Sequence, residues 1–110
     1  MVKEPKQDSE FEVQAFLWSG LRGLGVNARG EVSVPYAKRQ KVRFDIAVFE
    51  SGVLIGIIEV KARPVNHKTS WEDTRQGKRY GTFGVPIRMV YGMDQANQTL
   101  ADASIGRLWS

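Results

Sequence analysis

Hydrophobic residues recur every four positions near the start of the chain. Val13, Leu17 and Leu21 follow this spacing, and Leu24 extends the apolar face. Residues four apart share one face of an α-helix, so the pattern predicts a helix over residues 9–24. Glycines stand where the spacing stops, and they indicate the C-terminus of this helix.

The pattern then becomes that of β-strands. Residues 31–36 alternate loosely and include Pro35, which predicts a strand at the edge of a sheet. The runs 42–49 and 53–62 are rich in valine, isoleucine and phenylalanine, and they predict two more strands. Residues 50–52 between them end in a glycine, and we expect a three-residue hairpin loop there.

The rest of the chain alternates between helix and strand. A polar stretch leads into a predicted helix over residues 70–80, which is followed by a strand over 85–91 and a helix over 95–108. The order is therefore helix, three strands, helix, strand, helix. This order favours an α/β (α+β) fold in which helices flank a mixed central sheet. A length of 110 residues fits one domain, residues 1–110.

Composition narrows the class of protein. With 42% hydrophobic and 25% charged residues the chain is typical of a soluble globular domain, and its lack of cysteine excludes disulfides and thiolate metal sites. No apolar run approaches the roughly 20 residues that span a membrane. No signal peptide is visible, so we expect a cytoplasmic protein. A net charge of +4 favours polyanionic partners.

Three charged residues interrupt the two most hydrophobic strands. Asp45 lies in the first of these strands, and Glu59 and Lys61 lie in the second. Charged groups within apolar strands are costly unless they are paired or bound to a metal ion. These residues are therefore the first candidates for a functional site.

The expected hairpin register brings the two carboxylates together. A three-residue loop pairs Phe49 with Val53 and places Asp45 opposite Ile57. Asp45 and Glu59 then become diagonal neighbours on one face, roughly 7–8 Å apart at their backbones. A two-residue loop would shift the register by one residue and send the carboxylates to opposite faces. We therefore expect the three-residue loop.

Two carboxylates at this separation can hold one divalent cation. Oxygen ligands favour Mg²⁺ or Mn²⁺, which would generate a hydroxide nucleophile and polarise a phosphate group. Lys61 shares the face of Glu59, so it could position the attacking water or stabilise charge on the phosphate. In the plainer alternative, Asp45 pairs with Arg43 or Lys41, and Glu59 and Lys61 form an exposed strand-end pair of little energetic value.

These residues resemble the signature of the PD-(D/E)XK nuclease superfamily. Asp45 stands fourteen positions before Glu59 in the triplet Glu59-Val60-Lys61. The family's proline before the aspartate is absent here, at a position that varies among its members. The resemblance covers residues 9–91 and implies a restriction-endonuclease-like αβββαβ core.

Two further matches extend the resemblance. Gln76-Gly77-Lys78-Arg79-Tyr80 fits the Gln-x-x-x-Tyr motif that follows the Glu-x-Lys strand in RecB-like nucleases and type I restriction nuclease domains. By resemblance, Gln76 contacts the scissile region or a metal-bound water, and Tyr80 supports it or touches the DNA backbone. Glu10 shares a face with Val13, unlike Glu12, and resembles an auxiliary metal or water ligand. The resulting prediction is a catalytic set of Asp45, Glu59, Lys61, Gln76 and Glu10, metal ligands at Asp45, Glu59, Val60 and Glu10, and DNA-backbone contacts from Arg63, Arg75, Lys78, Arg79 and Tyr80.

The resemblance implies a Mg²⁺-dependent (or Mn²⁺-dependent) deoxyribonuclease, an endonuclease of resolvase, phage or restriction-like type. Such enzymes usually act on DNA as homodimers, and branched DNA is a candidate substrate. The alternative function is a non-catalytic or partner-dependent DNA-binding domain that retains the nuclease fold. Trp18, Trp71 and Trp109 could stack on bases, although packing is the commoner role of such residues.

Overall fold

The computed structural model describes residues 10–61, 77 and 80–110. In this part of the chain, the fold is α+β, with a four-stranded mixed sheet and two helices of defined bounds. The elements in chain order are α1 (Glu10–Gly23), β1 (Asn27–Ala37), β2 (Gln40–Glu50), β3 (Val53–Lys61), β4 (Ile87–Tyr91) and α2 (Met93–Ser104).

Helix α1 forms where the four-residue spacing predicts it. Val13, Leu17 and Leu21 are each at most 1% exposed, and two acidic residues in the first turn suit the positive end of the helix dipole. The chain leaves the helix through Gly25, whose φ of +84° is a conformation that favours glycine. Within the described residues, no helix is long and apolar enough to cross a membrane.

The strands form one sheet in the order β1-β2-β3-β4. The first three are antiparallel to their neighbours, whereas β3 and β4 are parallel and need a crossover between them. The helix predicted over residues 70–80 falls in this crossover, mostly outside the described residues; Gly77, Tyr80 and Gly81 are helical. The predicted number of strands is confirmed, but β1 starts four residues earlier than expected and β4 starts two residues later. The last helix was predicted over residues 95–108, whereas α2 starts two residues earlier and ends four residues earlier.

The sheet has an apolar cluster on each face. The first cluster lies under the two helices, and the second lies on the opposite face around Tyr80. Members of the first cluster are Val13, Leu17, Leu21, Ala28, Ile46, Val48, Ile58, Val60, Val90, Ala96 and Leu108. Members of the second are Val42, Phe44, Ala47, Ile57 and Tyr80.

Two glycines allow close contacts in the first layer. A Cβ at Gly20 would lie 2.6 Å from a methyl carbon of Leu100, so a larger residue there would have to displace the end of the Leu100 side chain between α1 and α2. A Cβ at Gly56 would lie 2.2 Å from the ring of Trp109. The C-terminal turn therefore packs its indole directly on the backbone of β3, which gives Trp109 the packing role.

The β2–β3 turn differs from the expectation. It has two residues, Ser51 and Gly52, and Glu50 pairs with Val53, so the prediction of a three-residue loop was wrong. Both turn residues have positive φ, +52° and +79°. This is the backbone of a type I′ turn, whose twist matches that of an antiparallel hairpin.

A β-bulge at Ile55 then shifts the register of β3 against β2 by one residue. Ile55 has no partner, because Leu54 pairs with Phe49 while Gly56 pairs with Val48. The extra residue on β3 moves the later pairs by one position. The bulge also changes the face on which Ile55 lies. A regular strand would place Ile55 on the face of Ile57, but Ile55 packs against the first cluster and Ile57 belongs to the second.

The β1–β2 ribbon changes faces at Asp45. Phe44 belongs to the second cluster and Ile46 to the first, although simple alternation would place them on the same side. In β1, Glu31 lies at the matching position and has a φ of +51°. The residues of β2 that alternate along one face therefore contact the second cluster before Asp45 and the first cluster after it. Asp45 occupies the junction between the two apolar layers.

Candidate functional site

Reciprocal hydrogen bonds join the two predicted carboxylates to the backbone. Glu59 Oε2 accepts a hydrogen bond from the amide of Asp45 at 2.7 Å, and Asp45 Oδ2 accepts one from the amide of Val60 at 2.9 Å. The pairing between β2 and β3 ends at Ile46 opposite Ile58. The carboxylates therefore satisfy amides beyond the end of this ladder. The structure pairs Ala47 with Ile57, so the expected position of Asp45 opposite Ile57 was wrong, and the same register continued by one pair sets Asp45 directly opposite Glu59.

Tyr80 completes the buried side of this pair. Its ring is 1% exposed and packs edge-to-face on Phe44, with ring centres 4.9 Å apart. Its hydroxyl lies 2.9 Å from Glu59 Oε1 and also forms a hydrogen bond with the carbonyl oxygen of Arg43. A phenol has one proton, and both neighbours are acceptors when Glu59 is ionised. When Tyr80 donates to Arg43, a protonated Glu59 completes the chain by donating to the phenol oxygen.

Burial perturbs the acidity of Glu59, which is 1% exposed. Removal from water is the largest cause of a rise in its pKa from 4.5 to about 7, and the negative charge of Asp45 adds to the rise. The hydrogen bond from the Asp45 amide, the Tyr80 hydroxyl and the charge of Lys61 act in the opposite direction. Such a shift in a buried carboxyl group is typical of functional sites.

Lys61 is the third member of the site. It is the last residue of β3 and is partly exposed, and its positive charge lowers the pKa of Glu59. Strand alternation places it on the same face as Glu59, two residues away. The structure thus brings Asp45, Glu59 and Lys61 together at one end of the β2–β3 pair.

Gln14 of α1 contacts the site through a hydrogen bond that the sequence did not predict. Its side-chain amide donates a hydrogen bond of 3.1 Å to the carbonyl oxygen of Asp45. This hydrogen bond joins α1 to β2 at Asp45, where the β1–β2 ribbon changes faces. Glutamines on helices are usually solvated, so composition gives no warning of this role. The only available signal is its place one helical turn after Glu10.

The other predicted residues have different outcomes. Glu10 is exposed at the first position of α1. Because Tyr80 is buried and bonded to Glu59, it supports the carboxylate and presents no surface to a DNA backbone. Five predicted residues lie outside the described part of the chain: Arg63, Arg75, Gln76, Lys78 and Arg79.

The donor set suits a hard divalent cation. Asp45 and Glu59 supply carboxylate oxygens, and three of these oxygens take part in the hydrogen bonds described above. Oxygen ligands of this kind favour Mg²⁺ or Mn²⁺, with waters and a phosphate filling other positions. No group of three or more histidine, cysteine or acidic side chains able to hold a metal occurs in residues 10–61, 77 and 80–110. A cation here would therefore rest on two carboxylates, with the Val60 carbonyl as the further predicted donor.

Comparison of the chain with protein-family models, curated proteins and solved structures found no match. The assignment of function therefore rests on the geometry around Asp45 and Glu59.

Proposed function

We propose that this protein is a metal-dependent deoxyribonuclease of the PD-(D/E)XK type, with Asp45, Glu59 and Lys61 at its centre. One observation carries the proposal: a fully buried carboxyl group with a raised pKa lies beside a second carboxylate and a lysine. Burial of an ionisable group costs stability. A hydrophobic residue at position 59 would suit the second cluster better, so the presence of a glutamate there favours a chemical role.

The order of elements supports the same proposal. A helix, three antiparallel strands, helical residues around Tyr80 and a parallel strand follow one another, as in a restriction-endonuclease-like αβββαβ core. The tyrosine of the Gln-x-x-x-Tyr motif also touches Glu59. Two motifs that are separate in the sequence thus meet through one hydrogen bond.

Each residue has a distinct task in phosphodiester hydrolysis. Asp45 and Glu59 would hold Mg²⁺ or Mn²⁺, and the bound cation would supply Lewis acidity at the phosphate. The ammonium group of Lys61 donates hydrogen bonds to the phosphate or to the attacking water and offsets developing negative charge. Tyr80 fixes the carboxyl group of Glu59, and Gln14 fixes the backbone of Asp45.

DNA is the proposed substrate because basic side chains project near the site. The end of the β1–β2 hairpin exposes Lys38, Arg39, Lys41 and Arg43, and the chain has a net charge of +4. Exposed cations bind phosphates and release counterions, which gives affinity without sequence preference. The hairpin leads along β2 directly to Asp45, so a backbone bound along it passes the carboxylates. A homodimer would provide one such site for each DNA strand.

Cleavage assays test the proposal directly. Labelled linear duplex, single strand, flap and four-way junction are each incubated with Mg²⁺, Mn²⁺ or EDTA. We expect cutting only with a metal ion, and the preferred DNA separates a resolvase-like from a restriction-like enzyme. Substitution of a group that acts in the transition state should lower the rate on the order of 100-fold or more. The variants for this purpose are Asp45→Asn, Glu59→Gln and Lys61→Ala.

Glu50→Gln is the matched control, because Glu50 is an exposed carboxylate at the far end of β2. It should cut at the wild-type rate. Cutting that survives both EDTA and Glu59→Gln would contradict the proposal. Sedimentation of the same proteins measures whether the active form is a dimer.

A non-catalytic DNA-binding domain is the second candidate, and one observation favours it. Asp45 and Glu59 both accept hydrogen bonds from backbone amides, so they join β2 to β3 without any metal ion. In that case DNA affinity would be the same in Mg²⁺ and EDTA, and no substrate would be cut. Glu59→Gln would then leave DNA binding unchanged, because glutamine can accept the same amide hydrogen bond.

A further inference from the structure

A cleft beside the candidate site separates α1 from β1. Its volume is about 290 Å³, near the lower end of the range for ligand pockets. Two aromatic side chains in its wall are accessible, Phe11 at 73% and Trp18 at 38% exposure. The lining residues are Phe11, Gln14, Ala15, Trp18, Gly30 and Glu31.

Trp18 is held in a fixed position in this cleft. Its indole N–H donates a hydrogen bond of 2.9 Å to the carbonyl oxygen of Ala28, and the guanidinium of Arg22 lies 5.2 Å from the centre of its ring. Phe11 precedes it by two helical turns on the same face of α1, about 10 Å away along the helix axis. An aromatic ring that is fixed before binding loses little entropy when a flat ligand stacks on it.

Two residues that line the cleft also lie next to Asp45. Gln14 lines the cleft and also donates its hydrogen bond to the carbonyl oxygen of Asp45. Glu31 lines it too, and the β1–β2 register sets Glu31 opposite Asp45, between the pairs Gly30–Ile46 and Val32–Phe44. A ligand in the cleft therefore lies beside the residues that hold Asp45.

We propose that this cleft binds one nucleobase of the DNA strand engaged at the carboxylate site, an inference that rests on the proposed function. Stacking on Phe11 and Trp18 suits any base, because every base has a π-face. Among the described residues, the cleft lining contains no cationic side chain, and the carboxylate of Glu31 repels phosphate. The same carboxylate accepts hydrogen bonds from the amino groups of cytosine, adenine or guanine, which favours these bases over thymine.

Binding without cleavage tests the proposal. Anisotropy titrations in EDTA compare a labelled single strand with an abasic strand of equal length. Phe11→Ala removes one stacking surface, and Gly30→Leu fills the cleft, since a Cβ at Gly30 would already lie 3.9 Å from the Trp18 ring. Loss of one stacked base corresponds to roughly a 5- to 100-fold weaker Kd. We expect that loss on the base-containing strand and no change on the abasic strand.

Phe16→Ala is the matched control, because Phe16 is an exposed aromatic residue of α1 that does not line the cleft. It should leave both affinities unchanged. Equal weakening of both strands by Phe11→Ala, or no weakening, would overturn the nucleobase site. A third outcome would also overturn it: the protein is a dimer, and Phe11→Ala converts it to a monomer without changing the preference for the base-containing strand. The cleft would then be an interface between two copies of the chain.

Base identity provides a second readout. A cytosine strand should bind several-fold more tightly than a thymine strand, and Glu31→Gln should reduce this ratio. A ratio that Glu31→Gln leaves intact would remove Glu31 from the proposal. Cleavage plays no part in these titrations, so base-dependent binding by a protein that never cuts would contradict the nuclease proposal alone. Base-independent binding by an active enzyme would contradict the nucleobase site alone.

Discussion

Glu59 lowers the stability of the fold that contains it. Below pH 4.5 its carboxyl group is protonated in the folded and the unfolded chain, so it makes no contribution to pH dependence. Between pH 4.5 and about 7 the unfolded chain loses the proton first, because the folded-state pKa is raised to about 7. Stability therefore falls as the pH rises through this range and stays low above it.

Glu59→Gln should therefore stabilise the protein at pH 8, although it removes a carboxylate on which the proposed cleavage depends. The amide oxygen can accept the hydrogen bond of the Asp45 amide, and the amide nitrogen can donate to Tyr80, which then donates to the carbonyl of Arg43. We expect a gain of about 1–3 kcal/mol in the free energy of unfolding at pH 8. Urea denaturation from pH 4 to 8 measures it.

The pH profile itself provides the control for this prediction. The wild type should lose stability between pH 4.5 and 7, whereas Glu59→Gln should be flat there. Asp102 titrates in a separate range, since its hydrogen bond with Arg88 holds the pKa of its carboxyl below the ordinary value. Parallel profiles for the two proteins would contradict the raised pKa of Glu59.

Glu31 is strained by its backbone. Its φ of +51° lies in the left-handed region, which costs a non-glycine residue about 1–2 kcal/mol. Part of this is regained in Glu31→Gly, since glycine adopts such angles freely but loses more entropy on folding. We expect a net gain of about 0.5–1 kcal/mol in thermal or urea unfolding. Ser33→Gly, in the same strand at a residue with ordinary φ, should instead lower stability.

At the level of residues, the sequence predicted the acidic and basic side chains but not their partners. Asp45, Glu59 and Lys61 were identifiable because charged groups are rare in apolar strands. The link from Tyr80 to Glu59 was not identifiable, because it depends on how Tyr80 packs in the second cluster. The hydrogen bond from Gln14 depends on how α1 packs on the sheet, which no local pattern encodes.

At the level of elements, two errors in the expected hairpin offset each other. The sequence favoured a three-residue loop, because a two-residue loop alone would place Asp45 and Glu59 on opposite faces. The structure has the shorter turn and a bulge at Ile55. The bulge shifts the register back by one residue, so Asp45 and Glu59 are again neighbours on adjacent strands. A bulge has no distinctive composition here, since isoleucine fits a regular strand equally well. The number and order of strands were predictable, but the register was not.

The exposed end of the β1–β2 hairpin should bind DNA phosphates. Lys38 and Arg39 form its turn, and both are exposed. Each lost phosphate contact reduces the slope of log K against log salt by about 0.9. Replacing both residues with glutamine should therefore lower the slope by about 1–2 and weaken binding of all DNA substrates alike.

Arg29→Gln combined with Arg107→Gln is the charge-matched control, since both arginines are exposed and lie outside the hairpin turn. It removes the same net charge without altering the hairpin turn. A salt slope that falls equally in both double variants would mean that only net charge matters, and the hairpin would have no specific role. Anisotropy titrations over a series of salt concentrations measure these slopes.

At the level of the whole molecule, the site lies where the two apolar layers meet. Asp45 stands at the change of faces in β2, while Glu59 is anchored in the second cluster through Tyr80. The fold class followed from the order of elements, because a mixed sheet with helices is the arrangement that buries their apolar faces. The change of faces in the β1–β2 ribbon could not be predicted from that order, since it arises from backbone angles at single residues such as Glu31.

The two layers also make the C-terminus part of the core. Trp109 covers Gly56 of β3, and Arg88 of β4 donates a hydrogen bond of 3.1 Å to the carbonyl oxygen of Leu108. Gly56→Ala places a methyl group 2.2 Å from the indole, so the ring must move out of the first layer. We expect a loss of about 1–3 kcal/mol in the free energy of unfolding. Trp109→Ala should add little to Gly56→Ala if both act by displacing the same ring. Gly23→Ala, where an added methyl meets nothing within 4 Å, should be neutral or slightly stabilising, and an equal loss there would contradict the packing argument.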